Sequence, residues 1–428
     1  DCTKYGVDGC RIACELKEGG MRLQIRLPEV RPDEYPVPLA CPYGCGGRVF
    51  ALHQTHTKRL DDIDYTSVTV RRYRCVQCRH CFRVYPTGVT HAPRSQKLRA
   101  VSVLLYVLGL SYGGVADALH AFGQRGSKSG VYRDVQAAGA AVERLRNQPV
   151  GQQAGRQQAG EQRQERTGTQ RARQVRVLSA DATYVRCKGN EVTIGVAVDA
   201  LAGDVLDVEL IDGESVEALR AWLEQLAQAL DVEVLLTDDL DSYKSVADAL
   251  GVEHAICRHH VNQNVAKLVA ELGEQALRCA ANAIPPPGVA STPQQLLDDL
   301  ESLQLLMALR PPDGAAQLGR LLKRYQAAPL PAKGERATLW YRMRLALIRY
   351  QNNWPRLTLD QRWNQRHPDQ RLDGTNNVAE RAIGWFIKER YRTMRGFKRR
   401  ASIRNIARLI PALAAHQHQP LLATLLAA

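Results

Sequence analysis

The chain has 428 residues, 45% of them hydrophobic, with 58 Lys+Arg against 44 Asp+Glu and a formal net charge of +14. At ~150 residues per domain this length excludes a small single-domain module, and the apolar content excludes wholesale disorder. The positive excess excludes a strongly acidic binding surface and points to a polyanionic partner, of which nucleic acid is the commonest.

The longest mostly apolar run in the body, Val101 to Leu110, is too short for a membrane span, and no charged-then-apolar leader opens the sequence. A chain without a membrane partner is therefore expected. Eleven Cys is an odd number, and seven of them fall in the close groups Cys10/Cys14, Cys41/Cys45 and Cys75/Cys78/Cys81. That usage argues for metal binding in a reducing compartment rather than for disulfides, so a bacterial-type cytoplasm, in association with the nucleoid, is the expected location.

In chain order, residues 1–94 combine the clustered Cys with Tyr/Val/Arg runs that resemble strands, as in a small domain stapled by metal. Residues 95–146 read as helices. Leu98, Val101, Leu104, Leu105 and Leu108 recur at helical spacing, Gly109 breaks the run, Val115 and Leu119 begin a second helix, and a third runs from about Ser129 to Arg146 with Val131, Val135, Ala138 and Val142 inward. Residues 147–174 are Gln, Arg and Gly with almost no large apolar side chain, which predicts a flexible basic linker.

Beyond it, Val175 to Leu178, Val192 to Val198 and Val205 to Leu210 read as an antiparallel meander. A helix follows from about Ser215 to Leu230, then a strand from Val232, a helix near Tyr243 to Leu250 and a short strand at His254 to Cys257. That order predicts an α/β mixed sheet with helices on its faces over residues 175–262 and 374–405, interrupted by an all-helical insertion at 263–373. A basic helix, or two, is expected after Thr375, with an apolar helical tail at 406–428.

Cys41-Pro-Tyr-Gly-Cys45 and Cys75-Val-Gln-Cys78 are two short thiolate pairs flanking a strand-like stretch, the way a zinc ribbon presents four soft ligands to Zn²⁺. Cys81 is an alternative to Cys75 or Cys78. Cys2, Cys10, Cys14, His53 and His56 offer, in principle, a second set. The three-helix segment has the pattern of a helix-turn-helix, with Arg125, Lys128 and Arg133 near the start of its last helix, where exposed basic side chains reach base edges and phosphates.

Three acids stand out. Asp181 is expected to close the first strand of the mixed sheet and Asp238 the fourth, so that both project from one edge, where hard divalent cations can be shared with a phosphate. Asp239 and Asp241 compete with Asp238. Glu380 follows Asn377, which has the spacing of a helix cap. After it come Lys388, Arg390, Arg392, Arg395, Lys398, Arg399 and Arg400, interleaved with Trp385, Phe386, Tyr391 and Phe397, a composition suited to gripping a phosphate backbone.

Asp181-Ala-Thr, Leu236-Thr-Asp238 with Tyr243, Cys257-Arg-His-His260, and Thr375-Asn-Asn-Val-Ala-Glu380 followed by Lys388 and Arg395-Gly-Phe-Lys resemble the signature of insertion-sequence DDE transposases, especially those akin to the Mutator group. The resemblance spans about residues 175–405. It implies a ribonuclease-H-like core with a helical insertion, Asp181, Asp238 and Glu380 as ligands for two Mg²⁺ (or Mn²⁺) ions, and Cys257 with His260 near the scissile phosphate, where His259 is a competing candidate. It also implies binding of double-stranded DNA at transposon ends and target, cleavage and strand transfer without a covalent enzyme intermediate, and a homodimer or higher oligomer on DNA. The alternatives are a catalytically inactive, zinc-containing DNA-binding regulator derived from a transposase, and a structure-selective nuclease built on the same sheet.

Overall fold

A computed structural model describes residues 25–146, 175–279, 284–394, 396–415 and 421–426. The segment 147–174, expected as a linker, lies outside the described residues, as do Cys2, Cys10, Cys14 and Arg395. The chain divides into two compact units, one of residues 1–159 with 384–428, the other of residues 160–383. Among the described residues no helix is long and apolar enough to cross a membrane.

The first unit begins with an antiparallel sheet of β1 (Phe50–Arg59), β2 (Ser67–Cys75) and β3 (Cys81–Val84). Three helices follow, α1 (Gln96–Val107), α2 (Tyr112–Ala121) and α3 (Lys128–Arg146). Ser95 and Ser111 cap the first two by accepting the backbone N–H of Leu98 and Gly114. The positions expected to face inward on α3, Val131, Val135, Ala138 and Val142, are all buried.

The C-terminal segment departs from expectation. Residues 384–405 belong with this unit rather than with the mixed sheet. Of the one or two basic helices expected, the stretch forms two helical runs. It continues α12 (Asn377–Ala382) through a turn of π-helical backbone at Ile383–Lys388 and α13 (Glu389–Arg392), and helix resumes only at α14 (Arg400–Ala415) and α15 (Leu421–Leu426). Both α14 and α15 pack on α3, with Ile403, Ile406, Leu409 and Leu425 buried. Gly139 permits this, since a Cβ there would stand 2.5 Å from the carbonyl oxygen of Asn405. The apolar tail is thus part of the helical core, because its amphipathic faces need a partner and α3 offers one. Each fully buried Leu or Ile contributes ~1.5–3 kcal/mol to that docking.

The second unit holds a five-stranded sheet ordered β6 (Val205–Ile211), β5 (Asn190–Asp199), β4 (Val177–Cys187), β7 (Val234–Thr237), β8 (Glu253–Ile256). β4, β5 and β6 form the expected antiparallel meander, whereas β7 and β8 run parallel to β4. Helices α4 (Val216–Leu230) and α5 (Asp241–Leu250) cover one face through Leu219, Leu223, Tyr243 and Val246. α6 (Arg258–Arg278), α7 (Pro293–Leu309), α8 (Gly314–Tyr325), α9 (Leu339–Asn352) and α10 (Trp354–Leu357) share a separate apolar core, the helical insertion.

The insertion ends earlier than residue 373. α11 (Leu359–Arg366) brings Leu359 and Trp363 back onto the sheet, against Val177, Val234, Leu236 and Ala255.

Candidate metal centres and acidic edge

The thiols of Cys41, Cys45, Cys75 and Cys78 lie within 4.8 Å of one another. Cys41 Sγ is 3.6 Å from Cys78 Sγ, and Cys45 Sγ is 3.6 Å from Cys75 Sγ. Those separations are far beyond a disulfide bond and close to the ~3.8 Å edge of a tetrahedron with ~2.3 Å Zn–S bonds. The backbone N–H of Cys78 points at Cys75 and helps hold that thiol down to about 7. Gly47 closes the cradle, for a Cβ there would stand 2.7 Å from Cys75 Sγ and 3.2 Å from Cys45 Sγ. The donor set fits zinc. Cys81 stands outside the quartet, and its carbonyl accepts the Tyr43 hydroxyl. His53 and His56 lie on β1 and join no metal-ligand group among the described residues.

In the helical part, Arg125, Lys128 and Arg133 are exposed about the start of α3. Lys388, Arg392, Lys398, Arg399 and Arg400 are exposed as well, with Arg392 paired to Glu389 and Arg399 set 6.0 Å above the Tyr132 ring. Arg390 is different. It is buried, lies 4.0 Å over the Tyr106 ring, and donates to the Leu110 carbonyl and the Thr393 hydroxyl. Its role is therefore structural, and it drops out of the candidate DNA-facing set, because a guanidinium buried over a ring and bonded to the interior is out of reach of a phosphate.

The acids meet at the carboxyl edge of the parallel strands. Asp181 does not close β4, which continues to Cys187 along its antiparallel partner β5. It sits instead just past the point where the parallel partner stops: β4 pairs with β7 at Val177, Leu178 and Ser179 only, Ser179 facing Leu236. Continued by two residues, that register sets Asp181 level with Asp238, the first residue after β7. The pairing of Thr237 with Ile256 likewise sets Cys257 level with Asp238, and the Cys257 N–H donates to the Thr237 carbonyl at 2.7 Å.

Two neighbours of Asp238 are already committed. Asp239 receives Lys244 at 2.9 Å and Arg349 at 2.7 Å, and Asp241 receives Lys244 at 2.7 Å. Among the described bonds the Asp238 carboxylate accepts only the backbone N–H of Leu240, which leaves it as the acid turned to the edge.

Glu380 arrives on α12, which packs on β4 and β5. Asn377 does not cap that helix. The N-cap is Asn376, whose side chain makes no capping bond and instead accepts the Ser179 hydroxyl and donates to the Ala180 carbonyl at 3.3 Å. Asn376 is fully buried, and it ties the helix carrying Glu380 to the strand carrying Asp181.

His260, in the first turn of α6, places Nδ1 3.7 Å from Glu380 Oε1, and Cys257, His260 and Glu380 have donor atoms within 4.8 Å of one another. His259 is exposed and bonded to Gln263, so it stands apart from this group.

Electrostatics reports the same convergence. Burial, with the charges of Asp238 and Glu380, pushes the Asp181 carboxyl up to about 7. Burial also raises Asp238, against the favourable charge of His260. The adjacent Cys257 side chain, with the charges of Glu380 and Asp238, lifts His260 to about 9. Carboxylates gathered in a partly dry place hold protons that a cation would displace.

Sequence reasoning missed one residue at this edge and named another only within a motif. Glu214, just before α4, adds negative charge at Asp238 and accepts the Tyr184 hydroxyl. The Tyr243 hydroxyl is buried without a hydrogen-bond partner within the field of Asp181 and Asp238. Tyr243 was part of a recognisable signature, whereas Glu214, one acid in a turn, carries no local signal.

No protein-family model matches the chain, and no curated protein matches it. Among solved structures it is similar to the catalytic core domain of HTLV-2 integrase in complex with magnesium (trimeric form), at 17% identity and a TM-score of 0.18, covering 31% of this chain and 84% of that one. It is similar also to the catalytic core domain of BIV integrase, at 17% identity and a TM-score of 0.17, covering 31% of this chain and 99% of that one.

Proposed function

We propose that this chain is a DDE-type DNA transposase of ribonuclease-H-like architecture, which binds transposon ends and carries out metal-dependent cleavage and strand transfer. The observation that carries this reading is the convergence of Asp181, Asp238 and Glu380, three acids far apart in sequence, at the carboxyl edge of a mixed sheet, the third delivered from beyond a helical insertion. The strand order β6-β5-β4-β7-β8, with β5 alone running against the rest, is the arrangement that the resemblance to such enzymes implies.

The residues fit hard divalent cations. Glu380 Oε1 is buried without a hydrogen-bond partner, and the raised Asp181 carboxyl stands in a field that positive charge would relieve. Asp181, Asp238 and Glu380 would hold Mg²⁺ or Mn²⁺, whose chemistry there is activation of a water or a DNA 3′-hydroxyl and neutralisation of charge on the leaving oxygen. The chain's own contribution is placement: β4 and β7 set the two aspartates level, Asn376 locks α12 against β4, and Arg349 with Lys244 neutralises Asp239 so that Asp238 remains the open carboxylate.

End DNA would be read by the zinc-stapled sheet and by α3 through Arg125, Lys128 and Arg133, with Lys388, Arg392, Lys398, Arg399 and Arg400 on the phosphate backbone. Joining two ends calls for a homodimer or larger assembly on DNA.

A strand-transfer assay with Mg²⁺ and DNA flanking the gene tests the reading. Cleavage of the end and its joining to a second duplex is the expected result. Cutting without joining would identify a nuclease, and end binding with neither would identify a regulator.

A further inference from the structure

We infer that Cys257, His260 and Glu380 form a binding site for a soft divalent cation of the zinc class, separate from the thiolate quartet of Cys41, Cys45, Cys75 and Cys78 and from the hard-ion position between the aspartates.

The topology brings the donors together. Cys257 follows β8 as the N-cap residue of α6 and His260 lies three residues on, in the first turn of that helix, the spacing that puts two side chains on one face. Glu380 comes from α12, held in place by Asn376, whose backbone N–H also donates to Cys257 Sγ at 3.2 Å. One donor atom from each of the three residues lies within 4.8 Å of the other two.

Two orphaned atoms supply a second, independent observation. His260 Nδ1 and Glu380 Oε1 are both screened from water, and neither has a hydrogen-bond partner. They face each other at 3.7 Å, too far for a hydrogen bond between them. That gap is close to the ~3.4 Å separating two ligand atoms on a tetrahedral ion with ~2.1 Å bonds, so an ion between them would satisfy both. With every donor spacing within 4.8 Å, the group would close by no more than about 1 Å around it, a movement within the side-chain freedom of a half-buried His and Glu.

Donor chemistry separates the two kinds of ion. A thiolate and an imidazole select zinc over magnesium, whereas Asp181 and Asp238 offer only hard oxygens. Three protein ligands leave a fourth position open, unlike the closed quartet. Because Glu380 belongs to both sites, a soft ion here draws that carboxylate, together with the His260 ring, away from the acid pair, and zinc then opposes magnesium. The site itself does not depend on the proposed transposase activity.

The test is zinc stoichiometry on the full-length chain, stripped with a chelator and titrated with Zn²⁺ alone, with Co²⁺ absorption as a second readout. Wild type should bind two ions per chain, and Cys257→Ala and His260→Ala one each. Asp181→Asn should keep both, and Cys45→Ser should lose the other ion. Circular dichroism checks folding. His260→Ala guards against a collapsed Cys257 variant, since His260 is only half buried. One ion in wild type that persists in His260→Ala, or two ions that persist in both Cys257→Ala and His260→Ala, would overturn the inference.

Discussion

Ser179 and Asn376, 197 positions apart in sequence, share a buried hydrogen bond, and this bond sets where Glu380 stands relative to Asp181. Asn376→Ala removes it together with the bond to the Ala180 carbonyl, leaving polar groups unpaired in the interior. A loss of ~1–3 kcal/mol in urea unfolding is expected. Strand transfer should fall further than end binding, because α12 loses its anchor on β4. Unchanged stability would show that the tie carries no weight.

Asp181→Asn, Asp238→Asn and Glu380→Gln should each lower strand transfer by ~10³-fold or more, about 4 kcal/mol of barrier, while end DNA is still retained in a gel-shift assay. Full activity in any one variant removes that residue from the site.

Gly47→Ala and Cys45→Ser test the quartet by different routes. The added methyl would stand 2.7 Å from Cys75 Sγ and should weaken zinc retention, whereas the serine removes a ligand outright. Both should reduce bound metal by atomic emission and weaken end binding. Metal content equal to wild type in Cys45→Ser would exclude the ribbon site.

Basic residues of the C-terminal segment divide into two kinds. Arg390→Ala should lower thermal stability, since its guanidinium is buried over Tyr106 and bonded to Leu110. Lys398→Ala and Arg399→Ala should leave the melting temperature unchanged and shallow the salt dependence of DNA affinity, each by about one unit of slope. An Arg390→Ala protein as stable as wild type would contradict the assignment.

His254 gives the fold an acid-sensitive point. It is buried, bonded to the Thr237 hydroxyl, and burial with the nearby Arg356 charge pushes its pKa from 6.5 to about 3. The folded state thus prefers the neutral ring, so protons bind the unfolded chain more readily between those values. Stability is expected to fall as pH drops below the unfolded pKa, by ~2 kcal/mol between about pH 7 and about pH 5. His254→Gln should flatten that part of the profile in denaturant titrations, and an unchanged slope would assign the effect elsewhere.

The sequence by itself determined the element types of the sheet, the two thiolate pairs and the three candidate acids, because each rests on local period, short spacing or a short motif: Val192, Ile194, Val196 and Val198 alternating in β5, Cys41 with Cys45, Asp238 directly after an apolar run. Tertiary structure alone decided which of several equivalent residues stand at the acidic edge and which are tied up elsewhere. Asp238 and Asp239 are indistinguishable in sequence until Lys244 and Arg349 neutralise one of them. His260 differs from His259 only by the helix face that meets Glu380. Arg390 looks as basic as its neighbours until Tyr106 covers it, and the apolar tail has no address until α3 supplies the matching surface. Those outcomes depend on Arg349, Glu380, Tyr106 and α3, each more than a hundred residues from the group it meets, whose positions follow from packing and strand register rather than from any local pattern.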